Sequence, residues 1–336
     1  MSQLVICSYC VRKYGNCLSN VALRSTKTQT HTYTMNLYAA GFNAWRQLEF
    51  SPLETSGEEP DDIAFFQKIL SDELIEIQYA SLTYTLVNTS VGLRHAGCAN
   101  EHLGLGRTQK LLCPPAAVAG NGIIAVYDGH DEIVQHASPL QPSQIESSQT
   151  FPGVHGTIQL VAYEAGFVAL SGDGKVWTWG DERYSATLGR EITASSPAER
   201  PGLVEDLENL PSGKIKKIAA GGYTVLALTE GHDLYGWGGH PARQPIIDTL
   251  SSSPSPVDVE ENDILDFSVG ETHMIVLTTH GDVYVIGENT NGQLGVPSDG
   301  TTQWEKVPWP PTEEAIVGVR AGQRSSFVVT KNASLT

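Results

Sequence analysis

The feature that most constrains this chain is an internal repeat. From Ala219 it reads AAGGYTVLALTEGHDLYGWG, and from Ser268 it reads SVGETHMIVLTTHGDVYVIG, 49 residues further on (268 − 219). In that alignment Gly221 meets Gly270, Leu228-Thr229 meets Leu277-Thr278, Asp233 meets Asp282, Tyr235 meets Tyr284 and Gly238 meets Gly287. An earlier copy, LVAYEAGFVALSGDGKVWTWG, closes at Gly180, and a fainter one, YASLTYTLVNTSVGLRHAG, closes at Gly97. The last copy, VRAGQRSSFVVT, stops at Thr330 without a second half, while LYAAG at 37–41 is a second half standing alone. A unit of this size cannot bury both faces of its own sheet, so the copies must stack on one another.

Each copy has the chemistry of a β-hairpin. An apolar, β-branched run (Val225 to Leu228, Ile275 to Leu277, Phe327 to Val329) suits a strand buried on both faces. A turn with Gly follows (Asp173-Gly174, Gly231-His232, His280-Gly281), then a strand with aromatic residues closing on Gly: VWTWG, LYGWG, VYVIG. Short strands at a period of about 50 residues predict an all-β fold, a single β-propeller. The orphan halves at the two ends predict a ring closed by N- and C-terminal strands sharing one blade, which removes exposed sheet edges. Between Gly97 and Gly180 lie 83 residues (180 − 97), room for a degenerate copy with halves at 117–128 and 132–137. The count is six recognisable blades, seven if a connection conceals an eroded copy.

Composition narrows the function. The 336 residues carry a formal charge of −17. Residues 1–34 contain Arg12, Lys13, Arg24 and Lys27 and no acid, so removing their +4 leaves −21 on residues 35–336. Such acidity argues against direct nucleic-acid binding. No apolar run approaches the roughly 18 residues of a membrane-spanning helix, which predicts a soluble protein without membrane attachment. Five cysteines form no disulfide framework, and their odd number fits a reducing compartment, cytoplasmic or nuclear. The basic leader, residues 1–34, has three readings: an extension outside the fold with Met35 rather than Met1 as the start, a mitochondrial-type targeting segment, or a zinc site at Cys7, Cys10 and Cys17 that lacks a fourth ligand. The propeller itself is assigned to 35–336.

The stretch GENTNGQLG at 287–295 carries a family resemblance. It resembles the Gly-x-Asn-x-x-Gly-Gln-Leu-Gly loop of the regulator of chromosome condensation family, with echoes in GFNAWRQL at 41–48, GCANEHLGLG at 97–106 and GDERYSATLG at 180–189. The resemblance covers residues 37–331, strongly from 160 onward. It implies a propeller, normally of seven blades, and functions that differ by member: nucleotide exchange on a Ran-type small GTPase, ring-shaped scaffolding, or enzyme inhibition. The acidic insertion at 54–73 reads as an amphipathic helix carrying Ile63, Phe66, Ile69 and Leu70.

Catalytic chemistry finds no motif. There is no Gly-x-Ser-x-Gly, no phosphate-cradling loop and no His-Glu-x-x-His, so an enzyme is not expected, nor any cofactor or metal. His95, Cys98 and His102, with Cys113 beyond, imitate metal spacing, but strand alternation and the closing Gly97 scatter them. His273 reads as a structural histidine at the start of a buried strand. The candidate partner-binding residues are those the repeat does not require: Trp45, Tyr184, Trp304, Trp309 and Arg324, of types that dominate binding hot spots. The sequence therefore predicts a monomeric, non-enzymatic scaffold binding a protein partner that is basic or a small GTPase. Its alternatives are an exchange factor and, more weakly, an enzyme inhibitor.

Overall fold

The computed structural model describes residues 33–50, 59–98, 115–129, 131–136, 148–309 and 314–332. Their strands, numbered in chain order, form six antiparallel sheets. Blade one combines both ends of the chain: β22 (Glu314–Ala321), β23 (Ser325–Asn332), β1 (Thr34–Gly41) and β2 (Ile63–Asp72). Blade two holds β3 (Ile75–Ala80), β4 (Tyr84–Thr89) and β5 (Gly92–Gly97); blade three holds β6 (Ala116–Val118), β7 (Ile124–Tyr127), β8 (Glu132–His136) and β9 (Ser148–Pro152). Blade four is β10 (Thr157–Tyr163), β11 (Gly166–Ser171), β12 (Val176–Gly180) and β13 (Gly202–Leu203). Blade five is β14 (Ile215–Gly221), β15 (Thr224–Thr229), β16 (Leu234–Gly238) and β17 (Ser255–Pro256). Blade six is β18 (Ile264–Val269), β19 (His273–Thr278), β20 (Val283–Glu288) and β21 (Gly300–Lys306).

The two orphan half-repeats meet as the sequence predicts. β1 pairs with β23 in unbroken antiparallel register from Thr34 opposite Asn332 to Gly41 opposite Ser325. The degenerate copy is blade three. One expectation fails: residues 63–72 form no helix but β2, the outermost strand of blade one. The register of β2 against β1 shifts twice, between Leu37 and Tyr38 and between Ala39 and Gly41. Each bulge disturbs the period-two alternation, so the less exposed residues fall at Ile63, Phe66, Ile69 and Leu70 and imitate helical spacing. The proposed leader, apart from its last two residues, lies outside the described residues.

The core lies between blades, not within them. One cluster joins Leu226, Leu228 and Leu234 of blade five to Phe267, Met274 and Val276 of blade six. Another joins Leu37 and Phe327 of blade one to Ile75 and Val87 of blade two. The second strand of each repeat carries most of this burial; β11, β15 and β19 are buried at every residue. That explains their unbroken apolar runs, since both faces meet a neighbouring blade.

Adjacent innermost strands belong to different sheets, and specific contacts join them. Five of them carry a register shift at the same place, leaving Gln78, Ile158, Lys216, Leu265 and Val317 exposed. In three of them, β10, β14 and β18, the next residue reaches across to the following blade. Gln159 donates to the Ile218 carbonyl at 2.7 Å and accepts from its N–H at 3.0 Å. Lys217 donates to the Phe267 carbonyl at 2.9 Å and pairs with Asp266, which accepts from Val319 N–H at 2.9 Å. At the far end of these strands the backbones themselves touch. Asn121 N–H donates to Glu164 O at 3.0 Å, Glu164 N–H to Gly222 O at 2.9 Å, and Glu271 N–H to Gln323 O at 3.1 Å.

This proximity dictates residue size. A Cβ on Gly221 would lie 2.3 Å from the Gly270 carbonyl of the next blade. Gly221→Ala is therefore expected to destabilise the ring by about 2 kcal/mol or more, because backbone cannot yield as a side chain can. Urea unfolding would measure it, and a change below about 0.5 kcal/mol would contradict the contact.

His273 ties blade six to blade one: its Nε2 lies 2.9 Å from Ser326 Oγ in complete burial. Burial pushes the imidazole down to about 4 from 6.5. The neutral ring is thus the folded form, whereas the unfolded chain takes up a proton below 6.5. The contribution is fully present above 6.5 and is lost as pH falls towards 4, to the extent of roughly 3 kcal/mol. His273→Thr, which installs the residue found at the matching position Thr224, should flatten the slope of unfolding free energy over that interval. Identical slopes in the two proteins would rule the effect out.

Candidate binding rim

Strand direction divides the ring into two rims. In each blade the innermost strand runs up, the second down and the third up, and in the five blades with a fourth described strand the outermost runs down. The upper rim therefore carries the turns between first and second strands and the loops after the third. The lower rim carries the hairpins and the crossovers between blades.

The loop after the third strand is built from the repeat's own polar residues. In blade six, Asn289 Oδ1 accepts from Leu294 N–H at 2.8 Å and its amide donates to Val296 O at 3.0 Å, while Gln293 Oε1 accepts from Asn291 N–H at 2.9 Å. Blade one repeats this. Asn43 Oδ1 accepts from Leu48 N–H at 3.1 Å, and Gln47 Oε1 accepts from Trp45 N–H at 3.0 Å. Buried amides that replace missing backbone partners explain why the motif needs Asn and Gln. The matching bonds put Trp45 where blade six has Asn291, whose amide donates to Asp62 at 2.8 Å. Trp45 makes no such bridge and is 52% exposed.

Three of the five candidates share the upper rim: Trp45, Tyr184 and Arg324. Arg324 stands in the blade-one turn, 3.6 Å from Glu271 of blade six. Tyr184 lies in the 3-10 segment Glu182–Leu188 after β12, which Asp181 caps by accepting from Arg183 N–H at 2.9 Å. The other two candidates are engaged elsewhere. Trp304 lies on β21 and packs against the cluster between blades five and six. Trp309 follows β21 and is wedged 5.0 Å from Tyr38 and 5.7 Å from Phe66 of blade one. His95 is in β5 and Cys98 just beyond Gly97, as expected; His102 and Cys113 lie outside the described residues.

Around Tyr184 the structure gathers residues that the sequence reading missed. Its ring centroid is 4.8 Å from Tyr223 and 5.4 Å from His240, and those two are 4.6 Å apart, edge to face. Arg183 lies 5.7 Å from the Tyr184 ring and Arg243 5.9 Å from the Tyr223 ring. These are cation–π distances. Tyr223 occupies the same column of the repeat as Thr272 and Arg324, so a column-by-column reading would have found it with Arg324. Burial pushes the Tyr223 phenol up to about 12, with the Tyr184 hydrogen bond and the Glu164 charge adding to it. Both guanidiniums face phenol rings, and the hydrogen bond of Arg183 to Asp181 holds that carboxyl below the usual range. Tyr184→Phe should accordingly move the Tyr223 titration down towards 10, read by alkaline ultraviolet or NMR titration; an unmoved midpoint would show that burial acts alone.

The geometry defines a β-propeller that presents arginine and aromatic side chains on one rim. Two profiles of the regulator of chromosome condensation (RCC1) repeat match it, one at residues 215–240 and 264–293 and the other at 280–329. The matched residues lie in blades five, six and one, and these blades are thus built from RCC1 repeats. It is 33% identical over 135 residues to the human probable E3 ubiquitin-protein ligase HERC6, covering 38% of this chain and 13% of that protein. It is 30% identical over 148 residues to the mouse regulator of chromosome condensation, covering 43% of this chain and 34% of that protein. The chain thus spans about a third or less of the length of these relatives. Among solved structures, yeast (Saccharomyces cerevisiae) Prp20p, studied for its binding to Gsp1p and histones, shares the fold at a TM-score of 0.65 and 14% identity, covering 89% of this chain and 93% of that one.

Proposed function

We propose that this ring is a docking scaffold for another protein, engaged through its upper rim, and that it catalyses no reaction of its own. One observation carries the reading. Arg46, Arg183, Arg190, Arg200, Arg243 and Arg324 all stand in upper-rim loops and turns, beside Trp45, Tyr184 and Tyr223. Lys175, Lys214, Lys306 and Lys331 stand at the lower rim. Arginine and aromatic residues are enriched in interface cores and lysine is depleted there. Guanidinium groups stack on rings and give up hydration more readily than ammonium groups. The charge of −17 favours the approach of a basic partner, and the rim cluster makes the close contacts.

The ranking test is affinity purification of the full chain against a Tyr184→Ala/Tyr223→Ala/Arg243→Ala variant and a Lys214→Ala/Lys306→Ala variant. The upper-rim variant should weaken a stoichiometric partner by about 2 kcal/mol or more, thirtyfold in Kd, and the lower-rim variant should leave it bound. The reverse pattern would move the interface to the other rim. Nucleotide exchange is the second reading, favoured by the likeness to Prp20p and its binding to Gsp1p. A nucleotide-release assay with a Ran-type GTPase separates the two: strong acceleration would replace the scaffold by an exchange factor, in the nucleus or the cytoplasm.

A further inference from the structure

We propose that His240 makes the upper-rim cluster sensitive to pH: its neutral imidazole closes the turn that holds Arg243 over Tyr223, and protonation opens that turn. The regulation would act on the docking site proposed above and rests on that reading for its use, while its chemistry stands apart. The turn is His240-Pro241-Ala242-Arg243. Two bonds close it. Arg243 N–H donates to the His240 carbonyl at 3.3 Å, and Ala242 N–H donates to His240 Nδ1 at 3.0 Å. The imidazole thus does what an Asx side chain does in a turn, accepting from the amide two residues on.

Accepting at Nδ1 requires its lone pair, so the ring must be the neutral Nε2–H tautomer. A proton added at Nδ1 turns the acceptor into a donor facing a donor, and the Ala242 bond is lost. Two groups of charge act on the ring from its neighbours. Arg243 on the turn itself and Arg183 from the blade-four loop oppose an imidazolium. Tyr184 and Tyr223 pack their rings against the imidazole, beside Glu164, whose charge reaches Tyr223, and Asp181 neutralises Arg183. With only the Arg243 N–H to His240 carbonyl bond left, the turn loosens around Arg243 and its place over Tyr223, so the cluster changes shape where a partner would touch it.

The test is amide hydrogen exchange of Ala242 in the full chain, followed by NMR between about pH 5 and 8 and normalised to the intrinsic rate at each pH. The native chain should lose about threefold or more of its protection as His240 takes up its proton, a factor fitting one exposed hydrogen bond. His240→Asn supplies an acceptor that does not titrate and should keep the protection level constant. His240→Phe should lack it at every pH. A flat profile in the native chain through the His240 titration overturns the proposal, as does a profile in His240→Asn that follows the native one. No partner is needed for these measurements, so their failure leaves the docking reading standing, and a failure of docking leaves the turn chemistry standing.

Discussion

Everything in this ring depends on how six innermost strands pass one another near the axis. Each belongs to its own sheet, so adjacent strands have no continuous ladder between them, yet at the junctions of blades three and four, four and five, and six and one their upper turns join by backbone hydrogen bonds. Buried polar backbone must find partners. The molecule supplies them with bulges that free one residue in five of these strands and with side chains such as Gln159, Lys217 and Asp266 that clip the next blade. Glycine at 221 is the steric counterpart of these clips, because the next blade's carbonyl takes the place a Cβ would need.

The same constraint shapes the outer parts. With cores between blades, the two chain ends do not stand as separate half-blades: β1 and β23 pair within blade one, which packs on both blade six and blade two. The loops after the third strands of blades four and six then cover the junction with the following blade from above. Trp237 of blade five donates its indole N–H to Thr187 O of the blade-four loop at 3.0 Å, and Gly292 of the blade-six loop lies against the backbone of β2. These loops are held by their own side chains, Asn289 and Gln293 in blade six and Asp181 and Arg190 in blade four, which makes them suitable supports for exposed contact residues. A rigid support lowers the ordering cost of binding.

Much of this was readable in advance. The hairpin pattern, the closing glycines, the split blade and the degenerate blade three all follow from periodicity, because a two-faced buried strand leaves few choices of residue. Residues 63–72 misled for the opposite reason: two bulges in one strand pair produced a three-residue spacing that belongs to helices. Of the binding candidates, Trp45, Tyr184 and Arg324 fell on one rim, whereas Trp304 and Trp309 are taken up by packing between blades. Residue type alone does not separate a rim aromatic from a junction aromatic, since both are large and both break the repeat.

The sequence by itself determined the blade, its repetition and the meeting of the two ends, because burial on both faces imposes a local pattern that every copy must keep. The tertiary structure alone decided which side chains become neighbours. Tyr184, Tyr223 and His240 come from a loop of blade four, a turn of blade five and a loop of blade five, up to 56 positions apart in the chain (240 − 184). They meet because strand direction sends all three segments to the same rim at one blade junction. No local pattern records that meeting: it is fixed by the packing of one blade against the next.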